Sequence, residues 1–157
     1  MPVIVHAPSY CVNAAAERYG IPSAVLYAII KTENGKAGYG SMNRNGTVDW
    51  GPMQINGKWF VSSRSPVRRS FPHVSPYEIQ TDPCVNVTVG AWILSGLLER
   101  DHSLWVAVGH YHSYRPREAK KYRRRVYFWY KRILADWKRR FGYDGDETIV
   151  SMSGRDR

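Results

Sequence analysis

The sequence lacks long hydrophobic runs, repeats and the simplest nucleotide-binding and catalytic motifs. No stretch of about 18 consecutive apolar residues occurs, which excludes a helix that spans a membrane. The opening segment, MPVIVHAPSY, lacks the basic start and the apolar core of a signal peptide. We therefore expect either that a leader has been removed or that the chain is a domain of a longer protein. Neither a glycine-rich phosphate loop nor a Ser-His-Asp set stands out.

Cysteine is scarce, with Cys11 and Cys84 the only two in the chain. Each lies near the start of a predicted helix, so the pair forms either two buried thiols or one disulfide between helix ends. The count leaves both possibilities open. A bridge would close a long loop, stabilise the fold by about 4 kcal/mol in the chain-entropy model, and indicate an oxidising compartment.

Acidic residues are also few, and the excess of positive charge is concentrated in one segment. The chain has 157 residues, 43% of them hydrophobic, which is enough for one domain with a core. It carries 13 acidic residues against 23 Lys and Arg, a net charge of +10. Residues 115–140 hold 12 basic residues beside Glu118 and Asp136. Such a segment is either a solvated helix face or a surface for an anionic partner such as nucleic acid, anionic lipid or acidic polymer.

Helical periodicity dominates the pattern of apolar residues, so a mainly α domain is predicted. Asn45-Gly46 is a strong hairpin signal and predicts a small β element. The segment after it, 52–64, leads back towards helix, and a polar loop follows to residue 75. The tail, 143–157, is polar and is predicted to be disordered. The predicted helices cover residues 9–20, 21–35, 81–101, 103–113 and 117–141.

A carboxylate stands at the end of the apolar stripe of the second helix. Leu26, Ile29 and Ile30 recur at helical spacing, and Glu33 falls on the same face. Burying a carboxylate is costly unless the group is paired, or unless its pKa rises and it stays protonated. A carboxyl that stays protonated near neutral pH is what general acid catalysis requires. The other interpretation is a helix-terminal Glu that points to solvent.

No metal or cofactor is expected from the remaining polar residues. His110 and His112 are two positions apart, so on a helix they point to different faces and make a poor metal pair. A nucleic-acid partner is not expected either, because the basic helix carries Trp129 and Trp137 on its other face, as a helix docked on a core would.

Four motifs occur in an order that resembles a known family. They are ENG at 33–35, NRNGTVDWGPMQINGKW at 43–59, DPCVNVTVGAWIL at 82–94 and WVAVGHYHS at 105–113. Together they resemble a lytic transglycosylase of the soluble-transglycosylase, lysozyme-like family. The similarity covers roughly residues 10–126 and is strongest to the small specialised members that accompany conjugation and secretion machines.

The resemblance implies a mainly α, α+β lysozyme-like domain over residues 1–142, with a small β-hairpin and a central substrate cleft. It implies a peptidoglycan lytic transglycosylase that cleaves the MurNAc-β-1,4-GlcNAc bond and leaves 1,6-anhydromuramic ends, without a cofactor. It further implies a monomer in the periplasm or cell envelope that opens the wall locally for a secretion or conjugation machine.

The family's site residues carry over to matching positions of this chain. Glu33 matches the catalytic glutamate, Tyr122 matches the tyrosine near that acid, and Cys11 with Cys84 matches a disulfide pair of the small members. The residues expected to bind substrate are Asn43, Asp49, Met53, Gln54, Asn56, Tyr111, His112 and Tyr122.

The chain departs from the family pattern at several positions, which changes the expected substrate contacts. Asn34 stands where the family usually has Ser, Pro52 where it has an aliphatic residue, and His112 where it has Asn. Asp49 has two interpretations, since it either ties down the turn before Trp50 or acts as a second carboxylate.

Two other functions remain open at this stage. A hydrolytic muramidase on the same fold would use water in place of the C6 hydroxyl and would employ a second carboxylate. A non-catalytic protein that binds cell wall or a secretion partner is the other possibility.

Overall fold

A computed structural model describes residues 2–142 of the chain, so the predicted disordered tail at 143–157 lies outside the described residues. Within them, seven α-helices surround a small antiparallel sheet of strand order β1-β2-β3. The helices are α1 (Ser9–Tyr19), α2 (Ser23–Glu33), α3 (Pro66–Ser70), α4 (Pro76–Thr81), α5 (Pro83–Asp101), α6 (Leu104–His112) and α7 (Pro116–Phe141). The strands are β1 (Gly40–Met42), β2 (Val48–Trp50) and β3 (Ile55–Asn56), and a 3-10 turn follows at Gly57–Trp59.

The ends of the long helices follow the chemistry of their terminal residues. Gly20 ends α1 in the left-handed conformation, with φ 64°, which a residue without a Cβ adopts at little cost. The α2 helix ends one residue earlier than the glycine at 35 suggested, because Asn34 itself takes the left-handed position, with φ 54°. Asp82 caps α5 by accepting hydrogen bonds from the N–H groups of Cys84 and Val85. The departure at Asn34 therefore has a local role as a helix cap.

The segment between the hairpin and α5 differs most from the prediction. The hairpin at Asn45-Gly46 is confirmed, but residues 55–56 add a third strand. The segment 52–64, expected to lead back towards helix, contains only the short 3-10 turn. The predicted loop contains α3, and α4 follows it. Ser75 and Glu78 form a reciprocal capping box at the start of α4. Such helices of five or six residues are too short to display a helical period.

The α2 helix lies at the centre of the core. Leu26, Ile29 and Ile30 are completely buried, as the apolar stripe predicts. The helix packs against α1 and α7, and α5 and α6 complete the enclosure. The end of α2 is therefore held on several sides, which fixes the position of Glu33.

The α7 helix packs its inner side on α2 and α6. Tyr122, Val126 and Ile133 are buried on that side. The predicted inner residues Trp129 and Trp137 are only partly buried. They lie beside the buried stripe, where the Lys31 ammonium is 5.1 Å from the Trp129 ring centre. None of the helices within residues 2–142 is both long and apolar enough to cross a membrane.

The disulfide between Cys11 and Cys84 joins α1 to the start of α5. The two cysteines are 73 positions apart in sequence, and their Cα atoms lie 5.0 Å apart. This resolves the alternative left open by the count of cysteines in favour of one bridge. The described residues contain no free cysteine.

We expect the Cys11→Ser, Cys84→Ser double variant to lose about 4 kcal/mol of unfolding free energy, because the denatured chain gains the entropy of the opened loop. Urea denaturation followed by circular dichroism measures the change. Adding a reductant should lower the midpoint of the wild type and leave that of the double variant unchanged. A double variant with the wild-type midpoint would contradict the assignment of this bridge as a stabilising element.

Candidate active site

Glu33 lies at the end of α2, at the edge of a cleft of about 320 Å³. The cleft separates the helical core from the small sheet, and polar groups from the sheet, the following loop and α6 face it. Its lining residues are Glu33, Asn43, Asn45, Thr47, Asp49, Gln54, Ile55, Asn56, Trp59, Ile93, Tyr111 and His112. The Glu33 carboxyl thus lies in a cleft that combines the apolar side chains of Ile93 and Trp59 with several amide groups. Such a lining suits a polar ligand that also has apolar ring faces.

The sheet forms one wall of the cleft through a connected set of hydrogen bonds. The Asn56 side-chain amide donates to Thr47 Oγ1 at 2.9 Å and to Asp49 Oδ1 at 2.8 Å. The Asn43 amide donates to the same Thr47 oxygen at 3.2 Å. Asp49 is therefore tied to the neighbouring strand and also lines the cleft, so a structural role and a role as a second carboxylate both remain compatible with its position.

The loop between β2 and β3 is fixed from behind by Asn86 of α5. Its side-chain amide donates to the carbonyl oxygens of Trp50, at 2.8 Å, and Ile79, at 2.9 Å. Its Oδ1 accepts from the Met53 N–H at 2.8 Å. Asn86 is 0% exposed, and both amide hydrogens and the oxygen have partners. The sequence analysis missed this residue, which fixes the loop without touching the cleft.

Gln54 reaches the cleft because the backbone at this loop takes unusual conformations. Gly51 has φ 72° and Gln54 has φ 49°, and the Gln54 side chain donates to the Gly51 carbonyl at 3.0 Å. A Cβ at Gly35 would collide with the Gly51 carbonyl and the Gln54 amide. The glycine after the α2 cap is therefore needed for the close approach of this loop.

Met53 does not take the predicted role. Its side chain is 0% exposed and packs where a Cβ at Gly90 would stand. The prediction that the Met53 side chain binds substrate is wrong, because the loop turns it into the core. Its carbonyl oxygen instead accepts a hydrogen bond of 2.7 Å from the Tyr111 hydroxyl, which links the loop to α6.

Tyr122 also differs from its predicted role as a substrate contact. The residue is 2% exposed, so its ring is not part of the cleft surface. Its hydroxyl donates a hydrogen bond of 2.7 Å to Glu33 Oε1, and the His112 ring stacks on it with ring centres 4.8 Å apart. Tyr122 therefore positions the carboxyl, while His112 lies between Tyr122 and the cleft.

The surroundings of Glu33 raise its pKa from 4.5 to about 7. Burial is the largest cause, since it disfavours the charged carboxylate. The hydrogen bond from Tyr122 lowers the pKa, the negative charge of Asp49 raises it, and the guanidinium of Arg125 lowers it. Glu33 is thus poised to hold or release a proton near neutral pH.

The shifted pKa values of Tyr111, Tyr122 and His112 all favour the uncharged forms of these three groups. Burial raises the pKa of Tyr111 and of Tyr122 well above 10, and the nearby Glu33 carboxyl raises both further. Burial lowers the pKa of His112 below its usual value, and the charge of Arg125 lowers it further. The Glu33 carboxyl, whose pKa is raised, therefore lies among these neutral hydrogen-bonding groups and near the charges of Asp49 and Arg125.

Within residues 2–142, no group of three or more His, Cys, Asp or Glu side chains is placed to hold a metal ion. His110 bonds to Asp101, with 2.8 Å between Nδ1 and Oδ2, while His112 faces the cleft. The arrangement of Glu33 can support proton transfer to and from a bound ligand without any group from outside the chain.

Comparison with known proteins identifies the family. Residues 10–130 match the family described as "Transglycosylase SLT domain". The chain belongs to this family. The transglycosylase is 32% identical over 144 residues to invasion protein IagB of Salmonella typhimurium, which covers 91% of this chain and 84% of that protein. It is 35% identical over 133 residues to protein IpgF of Shigella flexneri, which covers 82% of this chain and 84% of that protein.

The comparisons confirm the family, the fold class and the type of enzyme that the motifs predicted. The protein is a peptidoglycan lytic transglycosylase with a mainly helical, lysozyme-like domain. Of the residues predicted to contact substrate, Asn43, Asp49, Gln54, Asn56, Tyr111 and His112 line the cleft of this transglycosylase.

The sequence analysis did not select several residues that the fold brings to the site. Asn45 and Thr47 belong to the hairpin turn, and the Asn-Gly signal located that turn without assigning its side chains to the cleft. Ile93 lies in the apolar period of α5 and has no signal that separates it from core residues. Arg125 donates to the Thr32 carbonyl at 3.3 Å. Because it lies in a run of basic residues, nothing in the sequence distinguishes it from its exposed neighbours.

The raised pKa predicts how stability depends on pH. A carboxyl that binds its proton more tightly in the folded state stabilises the fold while protonated, and this contribution disappears as pH rises from about 4.5 to about 7. We expect Glu33→Gln to gain stability relative to the wild type over that range, by at most about 3 kcal/mol above pH 7.

Urea denaturation of both proteins at several pH values measures this difference. Glu99→Gln removes an exposed carboxylate of α5 and serves as the control. A difference between Glu33→Gln and the wild type that stays constant from pH 4.5 to pH 7 would show that the pKa of Glu33 is not raised.

Proposed function

We propose that Glu33 is the catalytic acid and base of this transglycosylase, and that the products carry 1,6-anhydromuramic ends. The observation that carries the proposal is a carboxyl in the cleft whose pKa is raised to about 7. Such a group is protonated in a useful fraction of molecules at neutral pH and is still a competent base after it has given up its proton.

In the first step the Glu33 carboxyl donates its proton to the oxygen between N-acetylmuramic acid and N-acetylglucosamine. The bond from that oxygen to the muramic C1 breaks, and C1 develops oxocarbenium character. The N-acetylglucosamine leaves with a hydroxyl group, and Glu33 is left as a carboxylate. The Tyr122 hydroxyl stabilises this charge, because it already donates to Glu33 Oε1.

In the second step the Glu33 carboxylate removes the proton from the C6 hydroxyl of the same muramic acid. The C6 oxygen bonds to C1 and closes the 1,6-anhydro ring, while Glu33 recovers its proton. No water is consumed, and the enzyme returns to its starting state. Closing the ring requires a site in which the sugar, and not bulk water, is next to the carboxylate.

Asp49 has an indirect role in this mechanism. Its negative charge raises the pKa of Glu33, and its hydrogen bond with Asn56 holds it in the wall of the cleft. The charge also favours positive character at the sugar ring. A hydrolytic muramidase is the second candidate function, because Asp49 lines the same cleft as Glu33 and a water-using mechanism would employ a second carboxylate.

We further propose that the enzyme acts as a monomer in the periplasm or cell envelope and opens the wall locally for a secretion machine. The disulfide supports an oxidising compartment. The motifs resemble the small members that accompany secretion machines, and one relative is named for invasion; both support this role. Recruitment to one machine would restrict cutting of the wall to a single place.

We expect Glu33→Gln to form no detectable product, because the amide can neither donate the proton nor accept it back. Mass spectrometry of soluble products from purified peptidoglycan tests this, with wild-type fragments expected to be lighter by one water than hydrated ones. Asp49→Asn is the matched variant and should keep anhydro products at a reduced rate. Hydrated products lost in both variants would support the muramidase, and a folded wild type without products would support a binding protein.

We expect Tyr122→Phe to shift the pH profile of kcat/KM. The hydrogen bond from Tyr122 lowers the pKa of Glu33, so its loss raises that pKa above about 7 and moves the fall in activity to higher pH. The kcat should also decrease, because the developing carboxylate loses a donor. Tyr127→Phe changes an exposed tyrosine of the same helix and is the control. An unmoved profile in Tyr122→Phe would contradict the positioning role.

A further inference from the structure

A second cavity continues the cleft at one end. It has a volume of about 590 Å³ and shares Asn43, Asn45 and His112 with the cleft. Beyond these it is bordered by Arg44 of the hairpin turn and Arg115 at the start of α7. A ligand that occupies the cleft can therefore extend between these two arginines, and we call this cavity the arginine pocket.

The arginine pocket carries an excess of positive charge. Among the described residues, neither Arg44 nor Arg115 makes a side-chain hydrogen bond or ion pair. The acidic residue on the pocket is Glu118, and its carboxylate lies 3.8 Å from the Lys121 ammonium. Two arginines thus border the pocket against one glutamate, whose carboxylate already has a cationic neighbour. This balance favours an anionic ligand.

The backbone beneath each arginine is held in place. The turn that carries Arg44 is closed by a hydrogen bond of 2.8 Å from the Asn43 N–H to the Thr47 carbonyl. The Arg115 N–H donates to Ser113 Oγ at 3.1 Å, and its carbonyl accepts from the Ala119 N–H at 2.9 Å. The side chains are free to adapt, but their points of attachment on either side of the pocket are fixed.

The chemistry of the substrate suggests what the pocket recognises. The sugar hydroxyl and acetamido groups of the glycan are uncharged, whereas the peptide stem attached to muramic acid bears carboxylates. A guanidinium pairs with a carboxylate through charge-assisted hydrogen bonds. Resting on the proposed function, we propose that Arg44 and Arg115 bind carboxylates of the peptide stem while the sugars of the same strand occupy the cleft. The enzyme then prefers peptide-bearing glycan to bare glycan.

The test compares two soluble substrates, namely glycan chains with intact peptide stems and the same chains after an amidase has removed the stems. We expect wild-type kcat/KM to be higher for the peptide-bearing chains. The Arg44→Gln, Arg115→Gln double variant should reduce this preference by roughly twofold to thirtyfold, the range for two exposed ion pairs. Arg69→Gln, Arg124→Gln removes the same charge from exposed arginines that border neither cavity and should keep the wild-type preference.

A binding measurement separates failure of this inference from failure of the proposed function. Calorimetry with Glu33→Gln protein compares a muramic-acid-containing disaccharide with and without its peptide. Tighter binding of the peptide-bearing form, lost in the added double arginine variant, supports the pocket even if no turnover occurs. Equal affinity for both forms, or an equal loss of affinity for both in the arginine variant, would overturn it. Wild-type protein that binds both forms but cuts neither substrate would refute the proposed function alone.

Discussion

The hydrogen bond from Tyr122 to Glu33 joins α7 to the end of α2 through two residues that are 89 positions apart in sequence. It places a donor on the carboxyl from inside the protein, so the other oxygen of Glu33 is left for the cleft. Burial makes the carboxyl weakly acidic, and the tyrosine limits that effect. The packing of α2 on α7 sets both influences, since it buries the carboxyl and brings the hydroxyl within 2.7 Å of it.

The loop between β2 and β3 forms part of the opposite wall of the cleft. Its backbone turns sharply and has no regular secondary structure to satisfy its hydrogen-bonding groups. Asn86 supplies from α5 the hydrogen bonds that the loop cannot make for itself. Gly35 and Gly51 allow the loop to approach α2 and α5 closely. Gln54 can then hold a left-handed conformation. The strain energy of this conformation is tolerated because the surrounding contacts fix the loop.

The sequence revealed those features whose signals are local or periodic. The stripe of α2 is long enough to establish a helical period, and Glu33 stands out because a carboxylate there conflicts with burial. Asn86 has no such signal, since its partners Trp50 and Met53 lie more than 30 positions away in sequence. The prediction that Met53 binds substrate was based on the family motif. The motif does not specify whether the loop turns this side chain towards the cleft or into the core. Helices α3 and α4 depend on caps rather than on a period.

The chain contains two Asn-X-Thr sequences, at 45–47 and 86–88, and their positions in the fold affect the choice of expression host. A eukaryotic secretory pathway can attach a bulky glycan to asparagine in this context. On Asn86 the glycan would prevent the buried amide from fixing the cleft loop. On Asn45 it would stand at the junction between the cleft and the arginine pocket. Hosts that do not glycosylate asparagine are therefore the suitable source of active enzyme. In any other host, protein that is glycosylated at these positions would be produced with reduced activity.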